Sequence, residues 1–155
     1  MKRFKLTTDT KIVFGRKLYR IEALVSFGSV SKGDLGGFIE KEENLPSDGN
    51  AWVYGNAQVY GNARVYGDAQ VYGNAWVSGD ARVYGDADCM WFSRVGSENG
   101  TLTAAKTKTG VFISRGCFSG SLEEFEAAVK NTHQESQVAK EYSVLIQFIK
   151  LRFGV

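Results

Sequence analysis

The chain has 155 residues, 43% of them hydrophobic, and its 19 Lys and Arg against 17 Asp and Glu leave a formal net charge of +2. That length suffices for one domain with a buried core, and so small a net charge argues against a polyelectrolyte built for duplex DNA or an acidic membrane. The two cysteines, Cys89 and Cys117, fit no metal-ligand spacing and no disulfide framework, so both read as reduced, buried small groups.

Residues 1–45 form the first expected unit, a β-rich cap. Lys2, Arg3, Lys5, Lys11, Arg16, Lys17 and Arg20 face Asp9 alone, a local charge of +6 over the first twenty residues. Such a block either steers an anionic partner or is the solvated face of a small sheet. The start "MKRFKLTTDTK" has no apolar run behind its positive charges, so no signal peptide is expected. No window has enough apolar residues to cross a bilayer, and a cytoplasmic protein is the expectation. Alternation in "TKIVFGRKLYRIEALVSF" predicts a hairpin turning near Gly15 and Arg16. In "GGFIEKEENLPSDGN", Ile39 and Leu45 stand at six-residue steps before Ala51 and are expected to hold the same column.

Residues 46–100 form the second unit. Valine returns every six residues at Val53, Val59, Val65, Val71, Val77 and Val83, with Cys89 in the next place. Alanine keeps step from Ala51 to Ala87, and Gly55, Gly61, Gly67, Gly73, Gly79 and Gly85 are each followed by Asn or Asp. A helix drifts against a period of six, and Gly, Asn, Val and Tyr are poor helix material. A flat strand would be broken by glycine in every repeat. What remains is a short strand, a corner and another short strand, coiled so that successive turns stack in parallel. Ala and Val, two apart, point inward, and Gly with Asn or Asp supplies the corner. The slender interior is filled by side chains and leaves no room for a ligand. The register is expected to continue imperfectly through Val95 and Thr101.

Residues 101–155 form the third unit, an α+β cap. "TLTAAKTKTGVFISRGCF" reads as a hairpin around Thr109 and Gly110. Ser121 and Glu124 have capping-box spacing, followed by Leu122, Phe125 and Val129 on one helical face. A second helix is expected from about Gln137 to Arg152, with Val138, Tyr142, Leu145, Ile146 and Ile149 on its apolar stripe.

From Gly49 to Cys89 the residues resemble the left-handed parallel β-helix of hexapeptide-repeat proteins, with an aliphatic residue, a small one four places on, and polar corners. The resemblance implies a mainly β fold: a short left-handed parallel β-helix with an N-terminal β cap and a C-terminal cap of a β-hairpin plus two helices. It also implies three hexads per coil, so that residues eighteen apart stack, and side-by-side homotrimers. The arrangement of "LYRIEALVSFGSVSKGDLGGFIEKEENL", the hexads and "GCFSGSLEEFEAAVKNTH" is similar to phage and prophage proteins of undetermined role, which implies a viral or mobile-element origin.

Hexapeptide acyltransferases use a histidine as general base, and no histidine lies in any hexad. A carbonic anhydrase of that architecture needs three histidine ligands for zinc, and the chain has one histidine. That residue, His133, reads as a helix-exit or surface group, and Cys117 as a packing position, although together they have the chemistry of a nucleophile and its base. Asp68 over Asp86, with Asn50 on the same corner, reads as solvated corner groups rather than a cation site. No metal, cofactor or catalytic residue is therefore expected.

The outward positions carry the candidate contacts: Trp52, Tyr54, Tyr60, Arg64, Tyr66, Tyr72, Trp76, Arg82 and Tyr84. Tyr54 should stack on Tyr72, Tyr66 on Tyr84 and Arg64 on Arg82. Exposed Tyr, Trp and Arg mark binding hot spots, but aromatic ladders also stabilise neighbouring strands, and both readings stand. The expectation is a non-enzymatic, phage-encoded binding protein, a homotrimer. It would hold a host-defence protein or sequester a cyclic-nucleotide-type anion, with Arg64 and Arg82 on the phosphates. An acyltransferase-like enzyme acting on a sugar or nucleotide-sugar, and a structural virion component, are the alternatives.

Overall fold

The computed structural model describes residues 2–47 and 49–155. Strands β1 (Phe4–Val13) and β2 (Arg16–Ala23) form an antiparallel hairpin. Its two-residue turn holds Phe14 at φ 50° and Gly15 at φ 79°, the pair of positive φ values that suits the twist of a tight hairpin. Strand β3 (Leu35–Ile39) continues that sheet antiparallel to β2 and then lies parallel to a strand of the repeat. The hairpin and the repeat thus share one five-stranded sheet.

Each hexad contributes a two-residue strand: β4 (Trp52–Val53), β5 (Gln58–Val59), β6 (Arg64–Val65), β7 (Gln70–Val71), β8 (Trp76–Val77) and β9 (Arg82–Val83). β4 pairs with β7, β5 with β8 and β6 with β9, all parallel, so each pairing joins residues eighteen apart. The ladder is closed by backbone bonds such as Tyr54 N to Val71 O (2.7 Å), Gln58 N to Ala75 O (2.9 Å) and Tyr66 N to Val83 O (2.9 Å). The valines and alanines from Ala51 to Val83 are at most 1% exposed and form one continuous core. Gly55 to Gly79 take φ between 57° and 67°, a region that costs glycine nothing. Gly85 is extended instead, and a single 3-10 turn, Asp86–Asp88, ends the coil there.

The chain then reverses into an antiparallel sheet of β10 (Cys89–Val95), β11 (Gly100–Lys106), β12 (Val111–Arg115) and β13 (Phe118–Ser121). Helices α1 (Leu122–His133) and α2 (Gln137–Phe153) pack Phe125, Tyr142, Ile146 and Ile149 against Leu102 and Ile113 of that sheet. Ser121 caps α1 by accepting from Glu124 N while Glu124 accepts from Ser121 N, the reciprocal pair expected from the spacing.

Four expectations need correction. Ile39 belongs to the valine column, not the alanine column: it pairs with Val59, twenty residues on, because β3 enters the stack from the hairpin sheet. Leu45, by contrast, is fully buried in the same core as an inward position requires, directly after a 3-10 turn, Glu42–Asn44. Val95 and Thr101 do not continue the coil, because positive φ values at Arg94, Gly96 and Asn99 turn β10 back along β11, with Val95 opposite Gly100. The expected boundary at residue 100 therefore falls inside a hairpin. Cys117, at the turn between β12 and β13, is exposed, whereas Cys89 is buried as expected.

Candidate functional site

The outward residues of the repeat separate into those the rest of the chain covers and those it leaves open. Trp52 is 1% exposed because Phe4 and Phe27 meet it edge-on at 6.3 and 5.4 Å, so it is a core residue and cannot serve as a surface contact. Tyr60 lies under the hairpin with Leu18 and Phe38, and burial raises its pKa above the usual tyrosine value. It too is removed from the contact surface. The hairpin tip reaches Trp76, where Phe14 stands edge-on at 5.6 Å, and Thr103 Oγ1 of β11 accepts from Trp76 N at 2.9 Å.

Ser78, the one interruption of the tyrosine column, has a reason here. Its hydroxyl shares a buried hydrogen bond of 3.0 Å with Ser114 of β12. A Cβ at the neighbouring Gly79 would come within 2.4 Å of the Phe112 ring. The C-terminal sheet sits where a larger side chain would stand.

Of the expected stacks, Tyr66 and Tyr84 meet, with ring centroids 3.6 Å apart and planes at 46°. Desolvation first, then the hydrogen bond and the charge of Tyr84, push the Tyr66 phenol up to about 12. Tyr54 and Tyr72 are held apart by other partners: Tyr54 shares a 3.0 Å hydrogen bond with Ser29, and Tyr72 stands edge-on to Trp91 at 4.8 Å. Arg64 and Arg82 are register partners on the outward side of β6 and β9. Arg82 donates to Asn62 O at 2.9 Å and Ala81 O at 3.3 Å, while the side chain of exposed Arg64 has no hydrogen-bond or ion-pair partner among the described residues.

Tyr72 stays exposed beside Trp91, and the β6–β9 face and its corner stay open with Arg64 and Arg82, then Tyr66 and Tyr84, the last 60% exposed. Two guanidinium groups on adjacent strands, about 4.8 Å apart in backbone spacing, repel each other, and an anion bridging them lowers that cost. The neighbouring phenol rings offer a stacking surface.

Two further features lie away from this face. His133 and Cys117 line one cleft of about 280 Å³ with Arg115 and Glu98. Cys117 is exposed, and the His133 ring leans toward Tyr142 at 5.8 Å. A groove of about 610 Å³ runs between Lys11, Trp76 and Arg115, and the Gln58 Oε1 and Arg115 Nε atoms beside it are buried without a hydrogen-bond partner. No sequence signal pointed to this groove, since Lys11, Gln58 and Arg115 come from three different units. Among the described residues no cluster of three or more His, Cys, Asp or Glu has metal-binding geometry, and no helix is long and apolar enough to cross a membrane.

The YdcK beta solenoid repeat family matches residues 57–73 and 69–85, the same stretch whose strands pair at eighteen-residue steps. The chain is a β-solenoid repeat protein. Its β-solenoid carries two C-terminal helices beside a mainly β body. No curated protein matches the chain.

Proposed function

We propose that this β-solenoid protein is a non-enzymatic binding protein that takes an anionic, ring-bearing ligand of nucleotide type on the β6–β9 face. The observation that carries the reading is the in-register pair Arg64 and Arg82 beside the stacked Tyr66 and Tyr84. Guanidinium groups supply charge-assisted hydrogen bonds to phosphate, and phenol rings stack on a base without demanding a particular one. The finer architecture belongs to the same proposal: a left-handed hexapeptide β-helix of three hexads per coil, closed below by the hairpin sheet and above by the C-terminal sheet and helices. A phage origin, a place in the host cytoplasm and a role against host defence rest on the resemblance of the whole arrangement to phage proteins. Trp52 and Tyr60 drop out of any side-by-side homotrimer contact, which leaves Tyr66, Tyr72 and Tyr84 as the aromatic surface for one.

Isothermal titration with a panel of mononucleotides and cyclic dinucleotides tests the reading. At least one member should bind, and Arg64→Ala with Arg82→Ala should weaken it at least about tenfold with an unchanged circular dichroism spectrum, since neither side chain points inward. Silence across the panel, or equal binding by the double variant, contradicts it.

The shared cleft of His133 and Cys117 favours a second reading, an acyltransferase-like activity on a sugar or nucleotide-sugar. Thermal shift with coenzyme A, and acetyl transfer lost in His133→Ala, would support it. Copurification with virus particles would favour a virion component instead.

A further inference from the structure

Helix α2 has two apolar faces. One is spent on the core through Ala139, Tyr142, Ile146 and Ile149. Roughly opposite, at steps of four and three residues, stand Val144, Phe148 and Leu151, exposed 66%, 47% and 82%. Phe92 of β10 meets Phe148 edge-on at 5.9 Å and extends the patch onto the sheet. A single exposed leucine is ordinary, but a row of three large apolar side chains continued by a ring is a contact surface.

The charges beside the stripe select its occupant. Glu141 stands at its N-terminal end and Arg152 at its C-terminal end, and 100° per residue puts both on one flank. Neither has an ion-pair partner among the described residues. That flank, acidic at one end and basic at the other, is complementary to itself turned end for end. With a two-fold axis near Phe148, Val144 faces Leu151 of the partner subunit, Phe148 faces its own copy, and Glu141 faces Arg152 of the partner subunit. Lys140 and Gln147 lie on the opposite flank, outside this pairing. The antiparallel helix dipoles add to the fit, and such an isologous contact closes at two copies. A membrane-surface helix would instead carry Lys or Arg all along both polar flanks, whereas here Arg152 shares its flank with Glu141 and Lys140 shares the other with Gln147.

We infer that α2 is a dimerisation helix, pairing antiparallel with α2 of a second copy of this chain through Val144, Phe148 and Leu151. This is independent of the ligand proposal. Light scattering after size exclusion, at micromolar concentration, should give an even number of copies, two through α2 alone or six where the solenoid also trimerises. Leu151→Glu should weaken association at least about tenfold with an unchanged far-ultraviolet spectrum, because the side chain touches nothing in its own chain that holds the fold. Glu141→Arg and Arg152→Glu should each weaken the dimer, and the two together should restore it. A monomeric wild type, an oligomer indifferent to Leu151→Glu, or a double charge reversal no better than the single ones would overturn the inference. A wild-type monomer that binds anionic vesicles through this stripe would also overturn it.

Discussion

Trp52 and Trp76 occupy the same place in their hexads, yet the first is sealed between Phe4 and Phe27 and the second stays half-buried against Phe14. Trp52→Ala should therefore cost about 3–5 kcal/mol, read from the urea midpoint. Asn44 shows a different economy. It is fully buried, and its amide donates to Gly61 O at 3.1 Å and Ala63 O at 2.9 Å, giving the open edge of the β6 coil the donors that a further strand would supply. The cysteines separate by reactivity. Exposed Cys117 should react with Ellman's reagent in the native protein, and buried Cys89 only after unfolding, so native protein should release one equivalent and denatured protein two. Burial, with Asp88 adding to it, raises the Cys89 thiol from 9.0 to about 12. The unfolded chain loses that proton first. This contribution to stability is thus complete below pH 9 and lost between pH 9 and about 12. Tyr66, raised from 10.0 to about 12, acts in the same direction. The urea midpoint should fall steadily across that alkaline window.

At the scale of elements, what the sequence showed and what it hid follow from locality. The hexads, the hairpin turn expected near Gly15 and Arg16 and found one residue earlier at Phe14 and Gly15, the capping box of Ser121 and Glu124 and both helices are written in residues within one or two turns of each other. Those elements match the structure closely. The end of the repeat is not legible in this way, because Val95 and Thr101 keep the period while Arg94, Gly96 and Asn99 reverse the chain, and backbone sign is not visible in a hydrophobic column. The fate of the outward aromatics was hidden for a related reason: Tyr60 and Tyr72 look alike in the repeat, and only the distant hairpin buries one of them. Ser78 was the one local clue to that tertiary cover. Restoring the repeat there with Ser78→Tyr should destabilise the protein by about 1–3 kcal/mol through overpacking against β12, measured by thermal denaturation. A variant as stable as the parent would mean that β12 does not rest on that corner.

Across the molecule, the six hexad strands pair only two deep, β4 with β7, β5 with β8 and β6 with β9. Repeat arrays without covered ends expose core and strand edges, and here the hairpin sheet continues β5 at one end while Thr103 and Ser114 meet β8 and Ser78 at the other. The solenoid and its Arg64–Arg82 face both require hexads whose neighbours along the stack lie eighteen residues away. Through-hydrogen-bond scalar couplings in the labelled protein read that directly. Couplings should join Trp52 N to Ala69, Tyr54 N to Val71, Gln58 N to Ala75, Tyr60 N to Val77, Arg64 N to Ala81 and Tyr66 N to Val83. Couplings between adjacent hexads running antiparallel, as in a flat meander, would contradict the coil and the Arg64–Arg82 face built on it.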